Sequence, residues 1–457
     1  MQTNDKTYLF EQMPIARAVM NLSIPTILSS LVMVLYNLAD TYFVGMLSDP
    51  IQNAAVTLAS PVLLAFNAVN NLFGVGASSM MSRALGRGDI DTVRRSSAFG
   101  FYCAVISGLL FSLLFTTFSA PLLTVLGASE QTRAATADYL RWTVTCGAAP
   151  AILNVVMAYM VRSEGASLHA SLGTMSGCVL NMILDPIFIL PLGLNLGAAG
   201  AGLATFLSNC FACVYFFVLL YVKRGKTYVC IHPSMFRPQR FIVVGICAVG
   251  IPASIQNLLN VTGSTFLNNM TASYGSDAVA AMGIASKINM IPFQIVMGLS
   301  QGIMPLISYN YASGNVARMK KALLFTLRIV LITLSCVTVA YYMGAGTLIQ
   351  VFMNNETVIA YGTRFLRGMC LTLPFLCLDF VAVGVFQACG MGQKAFIFAI
   401  LRKIVLEIPA LYLLNRFFPL YGLAYAQPLA EAILATIAAF VLVRLLRDLS
   451  TRGTLSR

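Results

Sequence analysis

The chain alternates long apolar runs with short polar joints. The runs fall at about 20–47, 53–82, 96–120, 138–161, 168–191, 198–222, 241–272, 278–308, 322–344, 365–388, 395–418 and 422–443. Each is long enough to cross a bilayer, which takes roughly 20 helical residues. The runs are continuous and do not alternate, so they read as helices and not as strands of a closed barrel. The pattern predicts an all-α integral membrane protein of about twelve transmembrane helices, with no joint long enough for a separate soluble domain. The start, "MQTNDKTYLFEQMPIARAVM", is polar and then amphipathic, unlike a removable signal peptide, so the first span serves as the insertion signal.

The pattern is also written twice. "GVGASSMMSRALGRGDIDTVRRS" (74–96) aligns with "SQGIMPLISYNYASGNVARMKKA" (300–322) at an offset of 226, placing Gly76 on Gly302, Gly88 on Gly314 and Arg94-Arg95 on Lys320-Lys321. "SEQTRAATADYLR" (129–141) meets "NETVIAYGTRFLR" (355–367), Pro25 meets Pro252, and "GAGLA" (200–204) meets "GLAYA" (422–426). Four matches in order divide the chain into an N-lobe (1–222), a basic cytoplasmic linker (223–240) and a C-lobe (241–457). Six spans per half is an even number, so both halves enter the membrane the same way round. The two lobes are then related by a pseudo-two-fold axis along the membrane normal, with a cavity between them. That layout is typical of carriers that alternate access.

Composition agrees: 10% of residues are charged, against about 25% in soluble domains. With the N-terminus inside, 23 of the 29 lysines and arginines fall on the inner side, Arg402 and Lys403 among them, and five on the outer side. Both termini are expected in the cytoplasm, with the protein multi-pass in the plasma (inner) membrane. This bias and anionic headgroups account for the net charge of +13, so no nucleic-acid partner is required. The eleven cysteines are scattered and mostly mid-span. Even the Cys210/Cys213 pair sits on an apolar helix and reads as packing, with no disulfide framework.

Against this background the acids stand out. Asp40 interrupts the first span in "YNLADTYFVG", and Asp185 lies in the fifth in "NMILDPIFI". A charge at mid-membrane costs about 2.5–3.5 kcal/mol on insertion scales, so each needs compensation or a use. Counting up from the inner ends places both in the outer half at similar depth, with Asn181 one turn from Asp185. Thr205 on the sixth span and Asn154 on the fourth can reach the same level. Two carboxylates with amide and hydroxyl oxygens offer what a small hard cation or a shared proton requires. The bland alternative is structural, with Asp185 capping the kink made by Pro186.

These stretches, with "GAGLAT" opening the sixth span and the two-fold repeat, resemble the multidrug and toxic compound extrusion (MATE) transporters from about residue 12 to 447. The resemblance implies export of small amphipathic, cationic compounds driven by inward Na+ or H+, with no cofactor beyond that ion and no enzymatic activity. It also implies an N-lobe cation site of the family's DinF-like branch on Asp40, Asn181, Asp185 and Thr205 (these four as metal ligands if the ion is Na+), with Asn154 beside them. The NorM-like branch carries a glutamate on the seventh helix and an aspartate on the tenth. Here the seventh span has no acid, and Asp379 on the tenth matches that pattern poorly. The comparison places the chain closer to the DinF-like branch.

Other polar residues within spans are candidates for a substrate cavity: Gln256, Asn257 and Asn260 on the seventh, and Lys287, Met290, Gln294, Met297 and Gln301 on the eighth, where Met304 continues the methionine stripe. Glu407 and Glu431 are possible C-lobe cation contacts, with pairing to Arg402 or Lys403 the competing reading for Glu407. Arg162, Glu164 and His169 read as a solvated or gating inner cluster. Pro25, Pro252, Pro292 and Pro305 mark possible hinges. A membrane enzyme is disfavoured by only two histidines, and ATP drive by the lack of a phosphate-binding glycine loop. A lipid or lipid-linked oligosaccharide flippase is the main alternative, although it would need several basic residues in its spans. A monomer surrounded by membrane lipid is the expected state.

Overall fold

The computed structural model describes residues 4–47, 49–191 and 193–455. The first half contains α1 (Asn4–Glu11), α2 (Ile15–Met46), α3 (Pro50–Asn70), α4 (Gly76–Gly86), α5 (Ile90–Val125), α6 (Glu130–Leu140), α7 (Ala148–Ser163), α8 (Ser167–Ile189) and α9 (Gly197–Val222). The second contains α10 (Arg240–Ala272), α11 (Ser276–Ala312), α12 (Val316–Phe352), α13 (Glu356–Cys370), α14 (Leu373–Ala388), α15 (Gly392–Ile400), α16 (Ile408–Phe417) and α17 (Gly422–Leu455). There is no strand among the described residues.

Among the described residues, nine helical runs are long and apolar enough to span a membrane, counting α3 to α4 through the π-helical turn Asn71–Val75 as one. Two bent pairs, Glu130–Cys146 with Ala148–Ser163 (50°) and Glu356–Cys370 with Leu373–Ala388 (45°), raise this to eleven. The one remaining expected span, 395–418, coincides with Gly392–Phe417, helical throughout via a π-helical turn at Leu401–Glu407. Arg402, Lys403 and Glu407 in that turn keep it from being purely apolar, and all three are buried. Arg402 and Lys403 therefore do not belong to the inner surface to which their sequence position assigned them.

The repeat extends to the turns. Gly88 and Gly314 both adopt left-handed backbone, at φ +73° and +76°, a conformation that favours glycine. The next residues cap the following helices: Asp89 accepts from the Thr92 N–H (3.0 Å), and Asn315 from the Arg318 N–H (3.1 Å). Ser129 caps α6, and its repeat partner Asn355 caps α13. Such caps satisfy amides that a helix start leaves open. The main breaks lie at these repeated positions and not at the prolines. The helices α2, α10 and α11 run through Pro25, Pro252, Pro292 and Pro305, because packed neighbours tolerate the lost bond.

The lobes meet along α2 and α11 and, as the repeat image, along α10 and the α3–α4 run. A side chain on Gly302 would sit 2.7 Å from Ser23 Cα, and one on Gly298 would sit 2.8 Å from Ile27 Cα, so only glycine allows α11 to lie this close to α2. On the other seam the Ser254 hydroxyl donates to the Ala68 carbonyl, and Ser79 donates to the Gln387 carbonyl. These contacts lie in the half of the bundle nearer the end that carries α1 and the segment joining the lobes. That end holds Arg87, Arg94, Lys223, Arg224, Lys320 and Lys321, and is called the basic end below.

The segment between α9 and α10 is fastened to the first lobe. The Cys230 N–H donates to Ser97 Oγ (2.8 Å), Tyr102 donates to the Ile231 carbonyl (2.9 Å), and Phe236 packs on Phe99 and Tyr102. Glu164 accepts from the Thr227 hydroxyl (2.9 Å) and the Tyr228 N–H (2.8 Å).

Gly302→Leu is expected to push α2 and α11 apart and lower stability by about 1–3 kcal/mol, as overpacking does. Gly283→Leu, on the same helix but with no neighbour within 4 Å, should leave the thermal midpoint in detergent unchanged. Asp89→Ala should cost about 1 kcal/mol through the lost cap. The Thr92 bonds hold the Asp89 carboxyl below the usual carboxylate range. In the wild type the contribution is therefore present at neutral pH and is lost as pH falls through that lowered range, which unfolding midpoints across acid pH would reveal.

Candidate functional site

Asp40, Asn181, Asp185 and Thr205 come together inside the first lobe, on α2, α8 and α9. The α8 helix lies against α2, and Ser29 and Thr174 share a hydrogen bond across them (2.9 Å). Asn181 and Asp185 follow one turn apart on α8, facing inward, with Asp185 fully buried. Gly202 brings α9 against the Tyr139 carbonyl, which sets Thr205 three residues further along beside Asn181. With its amide nitrogen toward the carboxylate, Asn181 donates to both oxygens of Asp185 (2.8 and 3.2 Å) and accepts from the Thr205 N–H (3.1 Å). Asn181 thus orients the acid here.

Asp40 and Asp185 lie within electrostatic reach of each other, and Tyr139 within reach of both. Tyr36, one turn before Asp40, lies close to both Asp40 and the Thr205 side chain. Neither tyrosine was singled out from sequence. Tyr36 opens the "YNLAD" stretch itself, and its spacing of four from Asp40 was the available signal. Asn154 is buried at 5% exposure, but its amide goes to the carbonyls of Pro150 and Ala151 and to Asn209 on α9 (3.1 Å). The structure does not join it to the acid pair.

No lysine or arginine forms an ion pair with Asp40 or Asp185 among the described residues. The two carboxylates, with the Thr205 and tyrosine hydroxyls nearby, are a donor set that fits a small hard cation or a proton. No three His, Cys, Asp or Glu residues gather as a transition-metal site would require, among the described residues.

The acids of the second lobe are arranged differently. Arg402, 2% exposed, pairs with Glu431 (2.5 Å), approaches Asp379 (3.7 Å) and lies over the Phe380 ring. Lys403 holds Glu407 with bonds of 2.6 and 2.8 Å. Three acids thus share two bases, and the pairing reading of Glu407 is the one realised.

The remaining candidates are dispersed. Gln256 accepts from Gln387 (3.4 Å), joining α10 to α14. Asn257, Asn260, Met290, Gln294 and Met297 are half-buried, Met304 is buried, and Lys287 is exposed without an ion pair among the described residues. Gln301 accepts from Arg162 (3.3 Å) across the lobe boundary. The solvated reading of Arg162 and Glu164 fails, since each is only 5% exposed. They lie at the contact between lobes and under the joining segment, where their charges are taken up by Gln301, Thr227 and Tyr228. His169 is half-buried.

Lys403→Met leaves Glu407 buried without its cation and should destabilise by about 3–5 kcal/mol. Adding Glu407→Leu should restore most of the loss, and thermal midpoints of the single and double variants check this.

Comparison with known proteins gives a consistent picture. The MatE family model matches residues 25–187 and again 252–413, the same two-fold register as the repeat. Multidrug export protein MepA of Staphylococcus aureus (strain MRSA252) is 32% identical over 455 residues, covering 99% of this chain and 98% of its own. The MepA of Staphylococcus saprophyticus is 33% identical over 447 residues, with 97% of each chain covered. Among solved structures, an outward-facing multidrug resistance MATE family transporter of the MOP superfamily superposes with a TM-score of 0.92 at 26% identity, covering 99% of this chain and 100% of that one. A MOP superfamily transporter from Pyrococcus furiosus, described as having a binding pocket of reverse polarity, gives 0.90 at 26%, with 98% and 99% covered. A family model that matches once in each half, and relatives similar along almost their whole length, establish that this chain belongs to the MatE family.

Proposed function

We propose that the protein is a cation-coupled antiporter that exports small amphipathic, cationic compounds by alternating access, from the DinF-like side of the family. The observation that carries this reading is the contrast between the lobes: Asp40 and Asp185 are two acids with no basic partner among the described residues, whereas Asp379, Glu407 and Glu431 are held by Arg402 and Lys403. An uncompensated acid pair in a low-dielectric bundle gains most from a bound Na+ or H+. The names of the curated relatives, multidrug export proteins, support drug-like cargo.

In this mechanism both termini lie in the cytoplasm of a bacterial-type plasma membrane and the basic end faces inward. The seams at Gly302 and Ser79 then close the inner side, which is the outward-open half of the cycle. In that state Asp40 and Asp185 take up Na+ or H+ from outside. Tyr36, Tyr139 and Asn181 hold the acids in place. Neutralising the pair lets α2 repack against α8 and α9, which weakens cargo binding and favours inward opening. The cation shifts this balance only by its differential affinity for the two states. On this reading the half-buried Gln294, Met297 and Gln301 on α11 are the side chains that would meet varied amphipathic cargo.

The test is transport of a fluorescent organic cation by the purified protein in liposomes under an imposed Na+ or H+ gradient. Wild type should respond to one gradient, and that response names the ion. Asp40→Asn and Asp185→Asn should each lower gradient-driven transport at least about tenfold with folding intact, the size expected when an interaction worth ~1.4 kcal/mol or more is removed. Coupled transport that survives both substitutions would move coupling out of the first lobe. Silence of the wild type under both gradients would point to lipid cargo.

A further inference from the structure

The helix α1 belongs to the first lobe by sequence, since it leads directly into α2, yet it is held by the second lobe. Phe10 is 1% exposed and stacks on Tyr309 near the end of α11, with ring centroids 4.7 Å apart and planes 12° apart. The Tyr309 hydroxyl donates to Glu11 (2.6 Å), and buried Asn310 donates to the Phe10 carbonyl (3.2 Å). Arg318, in the first turn of α12, donates to the carbonyls of Phe10 (2.6 Å), Met13 (2.6 Å) and Leu9 (3.3 Å). Those carbonyls lie at the end of α1 and in the turn before α2, where a short helix has acceptors left open. The far edge of the Phe10 ring lies against Gly165, in the turn between α7 and α8 of the first lobe.

We propose that α1 is a strap that locks the basic end shut, with Arg318 as its clasp. The proposal rests on the alternating-access reading and adds to it a device that sets how often this end opens. The lobes cannot separate here without pulling α1 away from either Arg318 and Tyr309 or Gly165. The grip on backbone carbonyls has a further consequence: it depends on α1 being helical and docked, and little on which side chains α1 carries apart from Phe10 and Glu11. Undocking the strap exposes Phe10 and leaves the Arg318 guanidinium to water, so docking and closure favour each other.

Native cysteines supply the reporter. Cys389 is buried in the turn after α14, on the second lobe's side of the boundary and beside Arg83 of α4. Cys146 is exposed in the bend before α7, Cys370 ends α13 and Cys377 lies within α14. The full-length protein in lipid nanodiscs is treated with a water-soluble maleimide, and the labelling rate of each cysteine is read by peptide mass spectrometry. Arg318→Gln should raise the rate at Cys389 by about tenfold or more, as expected if a closed end held mainly by the clasp becomes that much more often open. Cys370, Cys377 and Cys146 should keep their wild-type rates. Tyr309→Phe, which removes only the bond to Glu11, should give a smaller rise at Cys389, and it carries the test should Arg318→Gln fail to fold. An unchanged Cys389 rate overturns the proposal. So does a rise shared by Cys370 and Cys377, which would mark the strap as general support for the fold. Because labelling needs neither cargo nor gradient, a wild type that fails to transport would refute the antiport reading and leave this result standing by itself.

Discussion

An ionised side chain surrounded by lipid and packed helix has no water to stabilise it, and that constraint orders the molecule. The second lobe meets it by neutralisation. Arg402 and Lys403 project from a π-helical turn, a rare local winding, into contact with three acids contributed by α14, α17 and the same turn. In the first lobe no described lysine or arginine pairs with Asp40 or Asp185, and hydroxyl and amide groups lie around the two carboxylates instead. Two lobes built on one repeated pattern thus treat buried charge in opposite ways. The backbone framework is shared down to Gly88 and Gly314 and the helix caps, while the charged residues are not.

The seams between the lobes obey a second constraint, that of close backbone approach. Gly298 and Gly302 let α11 lie nearly against α2, and hydroxyls of Ser79 and Ser254 reach carbonyls on the facing helices. Such contacts gain from tight fit and short hydrogen bonds more than from apolar burial, since the surrounding lipid is itself apolar. A seam of this kind is bistable: small residues fit well when the helices touch and leave little residual attraction once they part.

Much of this was legible in the sequence because hydrophobic runs and turn residues speak locally. The spans and the repeat follow from short-range chemistry, as does the isolation of Asp40 and Asp185 within apolar runs. What was not legible depends on tertiary contact. Tyr36 and Tyr139 look like any buried aromatic until the fold brings them to the acids. Asn154 has the right residue type and approximate depth, but its amide is taken by its own helix and by Asn209. Arg402 and Lys403 were assigned to the inner surface because basic residues near the end of an apolar run are usually at the interface; their partners sit more than twenty residues away on other helices, apart from Glu407. Arg162 and Glu164 misled for the same reason, since the joining segment that covers Glu164 arrives from residues 227 and 228.

The anchoring of that joining segment has a mechanical consequence. Although 223–240 would as free chain let the halves wander by tens of ångströms, its bonds to Ser97, Tyr102 and Glu164 and the packing of Phe236 leave only Arg237, Pro238 and Gln239 as slack before α10 begins. Three residues reach at most about 11 Å, and the proline stiffens even that. The two halves are leashed at a point close to where they touch, so they can pivot about the start of α10 but cannot slide or drift, much as a short hinge pin turns loose plates into a pair of jaws.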